Sequence, residues 1–267
     1  MLLDIHAHLD HHLLANNLNE VLERSKNMIV VTNGINPETN RWALELSKKH
    51  KNIKVALGIY PISALRKELI DFGYKLGYND FNTEDELKWI SNTIKLQEAT
   101  NNPIFGLGEI GLDYFVVKDE TKEQRNEQKK LFIKLIKLGK KLNKPLIIHS
   151  RKAEEDVVEI LEQEKPKKVI LHCFCGSKKR VKRIVDNKWT FSITANLERS
   201  SQMQMIVNET PLSQLLTETD SPYLCPEKDK INEPLNVRFA LNKIAKMKKI
   251  LPKEAENIIF KNYLSMI

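Results

Sequence analysis

The sequence predicts a single parallel (β/α)8 TIM barrel. Eight short apolar runs of strand length recur along the chain, separated by longer segments with helical periodicity. The runs are continuously apolar rather than alternating, as strands covered on both faces are. The length of 267 residues also matches the roughly 250 typical of such a barrel. An open, doubly wound sheet is the rival arrangement. It loses weight because no G-x-G-x-x-G or Walker sequence follows any of the runs.

The elements follow in order. The first three strands are expected at 2–6 (LLDIH), 28–32 (MIVVT) and 53–58 (IKVALG), with a helix near 38–50. The stretch 61–103 is long for one strand-to-helix connection and is expected to hold an inserted helix near the site. Within it, 83–97 spaces Leu87, Ile90 and Ile94 along one face, and Thr83 and Glu86 are placed as a capping box. The fourth strand is expected at 104–109 (IFGLGE). In 121–142, Leu131, Leu135, Leu138 and Leu142 recur at three- and four-residue spacing with Lys on the other faces. Strands at 145–149 (PLIIH), 168–172 (KVILH), 190–194 (TFSIT) and 214–219 (QLLTET) alternate with helical segments near 152–163, 177–187 and 199–208. Two further helices are expected at 234–248 and 252–265, and residues 1–267 read as one domain.

Composition excludes several classes. With 41% hydrophobic and 29% charged residues the chain reads as globular rather than disordered or fibrous. No run of about 18 apolar residues occurs, so no spanning helix is expected. The opening MLLDIHAHLD lacks the basic region and apolar stretch of a secretory signal. Three cysteines cannot form a disulfide framework, and a cytoplasmic location is expected. The net charge of +8 suits an anionic partner and equally suits a lysine-rich solvated surface.

Ionisable residues sit at the tails of the buried runs. His6 and His8 close the first. Side chains at i and i+2 share a face, roughly 6–7 Å apart when extended, so the pair can grip one cation. Glu109 ends the fourth run, His149 the fifth and His172 the sixth, and Asp220 follows the eighth. An ionised carboxylate left there without a partner would cost several kcal/mol. In a barrel these strand ends meet at the C-terminal face, where active sites of the fold lie. Four imidazoles and two carboxylates converging there are ligand chemistry for divalent metals. Six ligands exceed the needs of one closed tetrahedral ion and suit two ions bridged by a carboxylate, with open positions for water and substrate. The alternative, unrelated caps and polar termini, requires the coincidence at five separate strands. Imidazole softness favours Zn²⁺, Mn²⁺ or Co²⁺ over Mg²⁺.

The segments HAHLD, GEIGLDY, IHSRKA, LHCFCGS and TETDSPYL, in this order, resemble the signature segments of the TatD family of metal-dependent deoxyribonucleases, a branch of the amidohydrolase superfamily. The resemblance implies that His6 and His8 hold one metal with Asp220 near it. It implies that Glu109 bridges to a second ion held by His149 and His172. It also implies hydrolysis of phosphodiester bonds in DNA, typically exonucleolytic, on single strands or 3′ ends, and that Mg²⁺ can serve beside Mn²⁺ or Zn²⁺. Departures from the family pattern are visible. Tyr60, in GIYPIS, stands where the family commonly has a His, and a phenol titrating near 10 is no neutral-pH proton carrier. The change bears on substrate positioning and rate rather than on the six ligands. Cys175 replaces the usual Ser, and the late segment keeps Asn232, Glu233 and Pro234 with Ile231 in place of Arg.

Mechanistically, Asp220 is the candidate general base and Glu109 the candidate catalytic bridge. Arg151 reads either as a phosphate clamp or as a helix-start ion pair, and it joins Tyr60 as a candidate substrate contact. Asp113 could orient a ligand or cap the following turn. The basic cluster Lys178, Lys179, Arg180, Lys182 and Arg183 reads as a nucleic-acid track or as a solvated helix face. Cys173, Cys175 and Cys225 read as packing thiols, and Trp42, Trp89 and Trp189 as core. Two rival functions stay open: an amidohydrolase-type enzyme acting on an amide, lactone or other small ester, and a non-catalytic nucleic-acid-binding barrel. Many amidohydrolases bridge their metals with a carboxylated lysine, whereas Glu109 stands here. No membrane association and no obligate protein partner are expected.

Overall fold

The computed structural model describes residues 1–65, 80–99, 104–117 and 121–267. Eight strands form one parallel sheet whose spatial order is the sequence order: β1 (Leu2–Ala7), β2 (Met28–Asn33), β3 (Ile53–Leu57), β4 (Gly106–Asp113), β5 (Leu146–Arg151), β6 (Val169–Leu171), β7 (Thr190–Thr194) and β8 (Leu215–Glu218). Helices lie between successive strands. They include Pro37–Lys49, Thr83–Ala99, Lys122–Lys141, Glu154–Glu164, Lys178–Asp186 and Ser201–Glu209, and Val237–Lys248 and Pro252–Leu264 follow β8. This is the expected α/β barrel.

The ring closes between β8 and β1 through a bridge from Ala7 to Ser221. His8 N donates to Ser221 O at 2.8 Å, and Asp220 N donates to His6 O at 2.9 Å. The buried Asp4 carboxylate completes the seam, accepting from Thr219 N at 3.0 Å and from the Thr219 hydroxyl. Burial pushes the Asp4 carboxyl well above its ordinary range, and these donors oppose the shift. The seam matters because it sets His6, His8 and Asp220 side by side.

Helix ends follow their sequence signals. Asn36 and Thr39 form a reciprocal capping box with Pro37 at the first helical position, and Thr121 and Gln124 form another. Leu131 and Leu135 of the expected stripe are buried, and Leu138 and Leu142 pack partly buried against the same core. The expected capping box at Thr83 is not formed. Asn82 caps that helix instead, its Oδ1 accepting from Glu84 N at 2.8 Å and Asp85 N at 3.2 Å. Glu86 turns inward, accepting from Asn40 Nδ2 at 2.7 Å and Arg41 at 2.5 and 2.6 Å. A charge-assisted pair inside the protein outweighs a local cap at the surface. Of the expected insertion at 61–103, the structure describes a 3-10 turn, Pro61–Leu65, and the helix Thr83–Ala99. Residues 66–79 and 100–103 lie outside the described residues. Among the described residues no helix is long and apolar enough to cross a membrane.

Candidate metal centre

Two glycines let the strands carry the site. A Cβ on Gly58 would lie 2.4 Å from Glu109 N, so the end of β3 can pass β4 only without one. Gly111 has φ +148°, and a Cβ there would lie 2.0 Å from the His149 carbonyl oxygen. The G-E-x-G spacing thus brings Glu109 and His149 together on neighbouring strands. Both strands run past their expected ends, β4 through Asp113 and β5 through Arg151, because the ladder continues from Gly111–His149 to Asp113–Arg151.

The six expected residues converge. His6 Nε2 and His8 Nε2 lie 3.2 Å apart. Glu109 Oε2 lies 3.6 Å from His6 Nε2 and 3.3 Å from His8 Nε2. Its other oxygen, Oε1, lies 2.6 Å from His149 Nδ1 and 3.3 Å from His172 Nε2. Asp220 Oδ1 stands 3.6 Å from both His6 Nε2 and His8 Nε2. One carboxylate thus faces two imidazole pairs, one with each oxygen. His6, His8 and Glu109 form one group with donor atoms within 4.8 Å of one another, and Glu109, His149 and His172 form a second.

The electrostatics follow from burial and crowding. Burial works against the Glu109 carboxylate, but His149, His172 and His8 hold it well below the usual carboxylate range. Burial, reinforced by the neighbouring His172, keeps the His6 imidazole neutral, well below its ordinary value. Burial opposes the charge on His8, yet the Glu109 carboxylate pushes it up to about 9. His149 and His172 are also raised against burial, by Glu109 for the first and by Glu218 and Glu109 for the second. Burial pushes Asp220 up to about 6.

The donor set fits divalent ions. Four imidazole nitrogens and two carboxylates aim at a common volume, an arrangement that protons alone satisfy poorly. Among the described residues, His6 Nδ1 and Asp10 Oδ1 are buried with no hydrogen-bond partner, a rare condition in native proteins.

The surrounding shell orients the donors. Asp113 Oδ2 lies 3.0 Å from His149 Nε2 and accepts from the Tyr60 hydroxyl at 2.6 Å. With Nε2 engaged by Asp113, His149 turns Nδ1 towards Glu109. Asp113 also caps the following turn, Oδ1 accepting from Phe115 N at 2.8 Å and Val116 N at 3.2 Å. It fills both of its expected roles. Tyr60 OH also lies 3.3 Å from His149 Nε2. Burial and the nearby Glu109 and Asp113 carboxylates keep this phenol protonated.

Sequence reasoning missed Glu218, which is 0% exposed. It accepts from Cys173 N at 2.8 Å and Ser192 Oγ at 2.6 Å, and lies 3.5 Å from His172 Nδ1. A second carboxylate two residues before Asp220, inside an apolar strand, was the available signal. Asp10, in HAHLD, also lines the cavity. The retained Asn232-Glu233-Pro234 segment proves structural. Asn232 Nδ2 donates to Thr219 O at 2.9 Å and Tyr223 O at 2.7 Å, pinning the loop that carries Asp220. Arg24 donates to Glu233 Oε2 at 2.6 Å.

Other candidates resolve as follows. Arg151 lines the cavity, and among the described residues no carboxylate pairs with it, so the helix-start ion pair is not formed. Cys175 is exposed on the cavity wall rather than packed, while Cys225 is buried. The basic helix face is largely neutralised: Arg180 and Arg183 pair with Glu155, Arg183 also with Glu162, Lys178 with Glu209 and Lys182 with Asp186. That favours the solvated-face reading. Trp189 is buried with Nε1 donating to Pro166 O at 3.0 Å, and Trp42 and Trp89 pack partly buried against the core. The cavity over the cluster measures about 920 Å³.

Comparison with known proteins agrees with this architecture. The profile of the family described as TatD related DNase matches residues 3–267. An uncharacterized metal-dependent hydrolase of Methanocaldococcus jannaschii is 32% identical over 261 residues, 97% of this chain and 94% of its own length. A human protein named as a deoxyribonuclease is 30% identical over 269 residues, 99% of this chain and 94% of its own. A solved TatD homologue from Escherichia coli superimposes with TM-score 0.82 at 21% identity, covering 100% of this chain and 97% of that one.

Proposed function

The chain belongs to the TatD related DNase family of metal-dependent hydrolases, and on that premise we propose that it hydrolyses phosphodiester bonds in DNA, as an exonuclease, with two divalent ions at the Glu109 cluster. The observation that carries the reading is the split of Glu109, whose Oε2 faces His6 and His8 while Oε1 faces His149 and His172. His6, His8 and Asp220 would hold one ion, His149 and His172 the other, and Glu109 would bridge them. Bound divalent ions would supply Lewis acidity, acidifying water and neutralising phosphoryl charge.

The chain's own residues do the rest. Asp220 accepts the proton of the attacking water. Burial pushes its carboxyl up to about 6, close to the neutral range where a general base is effective. Asp113 fixes the ring of His149, and Tyr60 donates to the same Asp113 oxygen, so this acceptor stays ionised. Arg151, on the cavity wall with its guanidinium over the Phe115 ring, receives a phosphate oxygen. Glu109 in the bridging position, rather than a carboxylated lysine, favours phosphodiester over amide or lactone substrates.

The test is digestion of end-labelled single-stranded DNA across Mg²⁺, Mn²⁺, Co²⁺ and Zn²⁺ with a chelator control, beside amide and lactone substrates. Metal-dependent shortening from one end is expected, and Glu109→Ala and Asp220→Ala should each abolish it while the fold is retained. Activity surviving either change removes the mechanism. Turnover of an amide or lactone with DNA untouched would move the chain to the other amidohydrolase chemistries. DNA binding that persists in chelator, with no turnover under any ion, would leave a binding barrel.

A further inference from the structure

Two exposed aromatic side chains are joined to the cavity wall, Tyr223 as part of it and Phe115 through the wall residue Arg151. Tyr223, in the loop after β8, is 50% exposed. Its hydroxyl lies 2.9 Å from His11 Nε2, and the two rings meet edge to face with centroids 5.3 Å apart. Both residues line the cavity. Phe115, two residues beyond β4, is 53% exposed. The guanidinium carbon of Arg151 lies 3.9 Å from the centroid of its ring. In the ring of strands the β8–β1 seam and the β4–β5 pair are half a circumference apart. The Glu109 cluster therefore lies between the two aromatic groups.

Neither group is explained by folding or by the ligand cluster. Phe115 leaves about half its surface in water beside Arg151, which lines the cavity. Each aromatic group is tied to a polar partner, Tyr223 to His11 and Phe115 to Arg151, which holds it in place without burying it. Both lie beside segments that carry the chemistry, Phe115 just after GEIGLDY and Tyr223 within TETDSPYL.

We propose that the Tyr223–His11 and Phe115–Arg151 groups are stacking subsites for unpaired bases on either side of the phosphodiester held at the Glu109 cluster. The inference rests on the phosphodiesterase reading above and deepens it. Aromatic faces and guanidinium planes both accept a stacked base. Bases inside a duplex already stack on each other, so only an unstacked strand can offer them to two separate rings. The ligand class is single-stranded nucleic acid, with the backbone crossing the cavity and one base laid against each rim. Stacking on an aromatic side chain strengthens binding by roughly 5- to 150-fold per base.

The experiment measures, with Mn²⁺ present, the anisotropy of a short labelled single strand with phosphorothioate linkages, beside a strand of equal length that lacks every base. Wild-type protein is expected to bind the base-bearing strand at least about tenfold more tightly. Tyr223→Ala and Phe115→Ala should each bring that ratio towards one, whereas the ring-retaining Tyr223→Phe and Phe115→Tyr should keep it. A ratio near one in the wild type, or no measurable binding of either strand, overturns the proposal. A ratio unchanged in both alanine variants overturns it as well. Hydrolysis of an ordinary strand, followed separately, distinguishes the two readings: no hydrolysis with the ratio intact sinks the phosphodiesterase alone, and hydrolysis with the ratio absent sinks the stacking subsites alone.

Discussion

Asn232→Ala tests how the fold holds Asp220 in place. The Asn232 side chain is 0% exposed. Its Nδ2 donates to Thr219 O at 2.9 Å and Tyr223 O at 2.7 Å, and its Oδ1 accepts from Glu233 N at 3.0 Å and Asn236 Nδ2 at 2.9 Å. The substitution removes all four bonds. Thr219 is buried, so its carbonyl is left dry at a cost of about 1–3 kcal/mol, whereas the other three partners can reach water and lose roughly 0.5–1 kcal/mol each. The sum is about 2.5–6 kcal/mol, which at roughly 2–4 °C per kcal/mol for a chain of this size lowers Tm by roughly 5–24 °C. The loss also reaches the site. Asp220 has φ +54°, a left-handed conformation that a non-glycine residue holds only when its surroundings enforce it, at a cost of order 1–3 kcal/mol. Without the clamp the loop relaxes and Asp220 leaves His6 and His8. Thermal unfolding and a Mn²⁺ titration by calorimetry read the two consequences separately. A stability loss below about 1 kcal/mol with metal affinity unchanged would refute the argument.

Three further outcomes are expected. Asp220→Asn keeps the shape of the side chain but not its basicity, so kcat for metal-dependent hydrolysis should fall roughly 10²- to 10⁴-fold while thermal stability is held; full activity in a steady-state assay would remove Asp220 as the base. Asp113→Asn should weaken metal binding about 10- to 100-fold, because the amide keeps one acceptor oxygen where the carboxylate uses two, one for His149 and one for the Phe115 and Val116 amides, and an unchanged titration would show that the ring is held by packing alone. Metal binding should tighten as pH rises towards about 9, where metal-free His8 loses its proton. The sign follows from competition: a ligating imidazole must be neutral, so at pH 7 the ion displaces a proton that the raised His8 still carries. Calorimetry at pH 7 in buffers of different ionisation enthalpy should register proton release, and heats independent of buffer would contradict it.

The strands were legible because barrel strands are buried on both faces and leave unbroken apolar runs. Their ends were less so. Strand β4 continues past Glu109 through Ile110, Gly111, Leu112 and Asp113, where a charge and a glycine interrupt the apolar run, and β5 continues through the polar Ser150 and Arg151. The helices His12–Ala15 and Leu18–Arg24 are too short for a periodicity to show. At Thr83 the local pattern fitted a cap, but Glu86 found a stronger partner in Arg41, on a helix more than forty positions earlier. No local rule contains that competitor.

The site divides along the same line. Candidate residues at strand ends declared themselves: His6, His8, Glu109, His149, His172 and Asp220 are polar where apolar residues belong. Residues that act through the backbone did not. Asn232 could be quoted from the sequence but not interpreted, because its partners are the carbonyls of Thr219 and Tyr223, and a carbonyl has no residue type. Gly58 and Gly111 are chosen by where β4 passes its neighbours, which is a property of register. Glu218 was hidden differently: beside Asp220 it looked like one more acidic residue, and only the register of β8 against β7, which sets Ser192 opposite Leu216 and Thr194 opposite Glu218, turns it inward towards His172. A donor set can therefore be read from composition at strand ends, but the shell that fixes its geometry is written in pairing register.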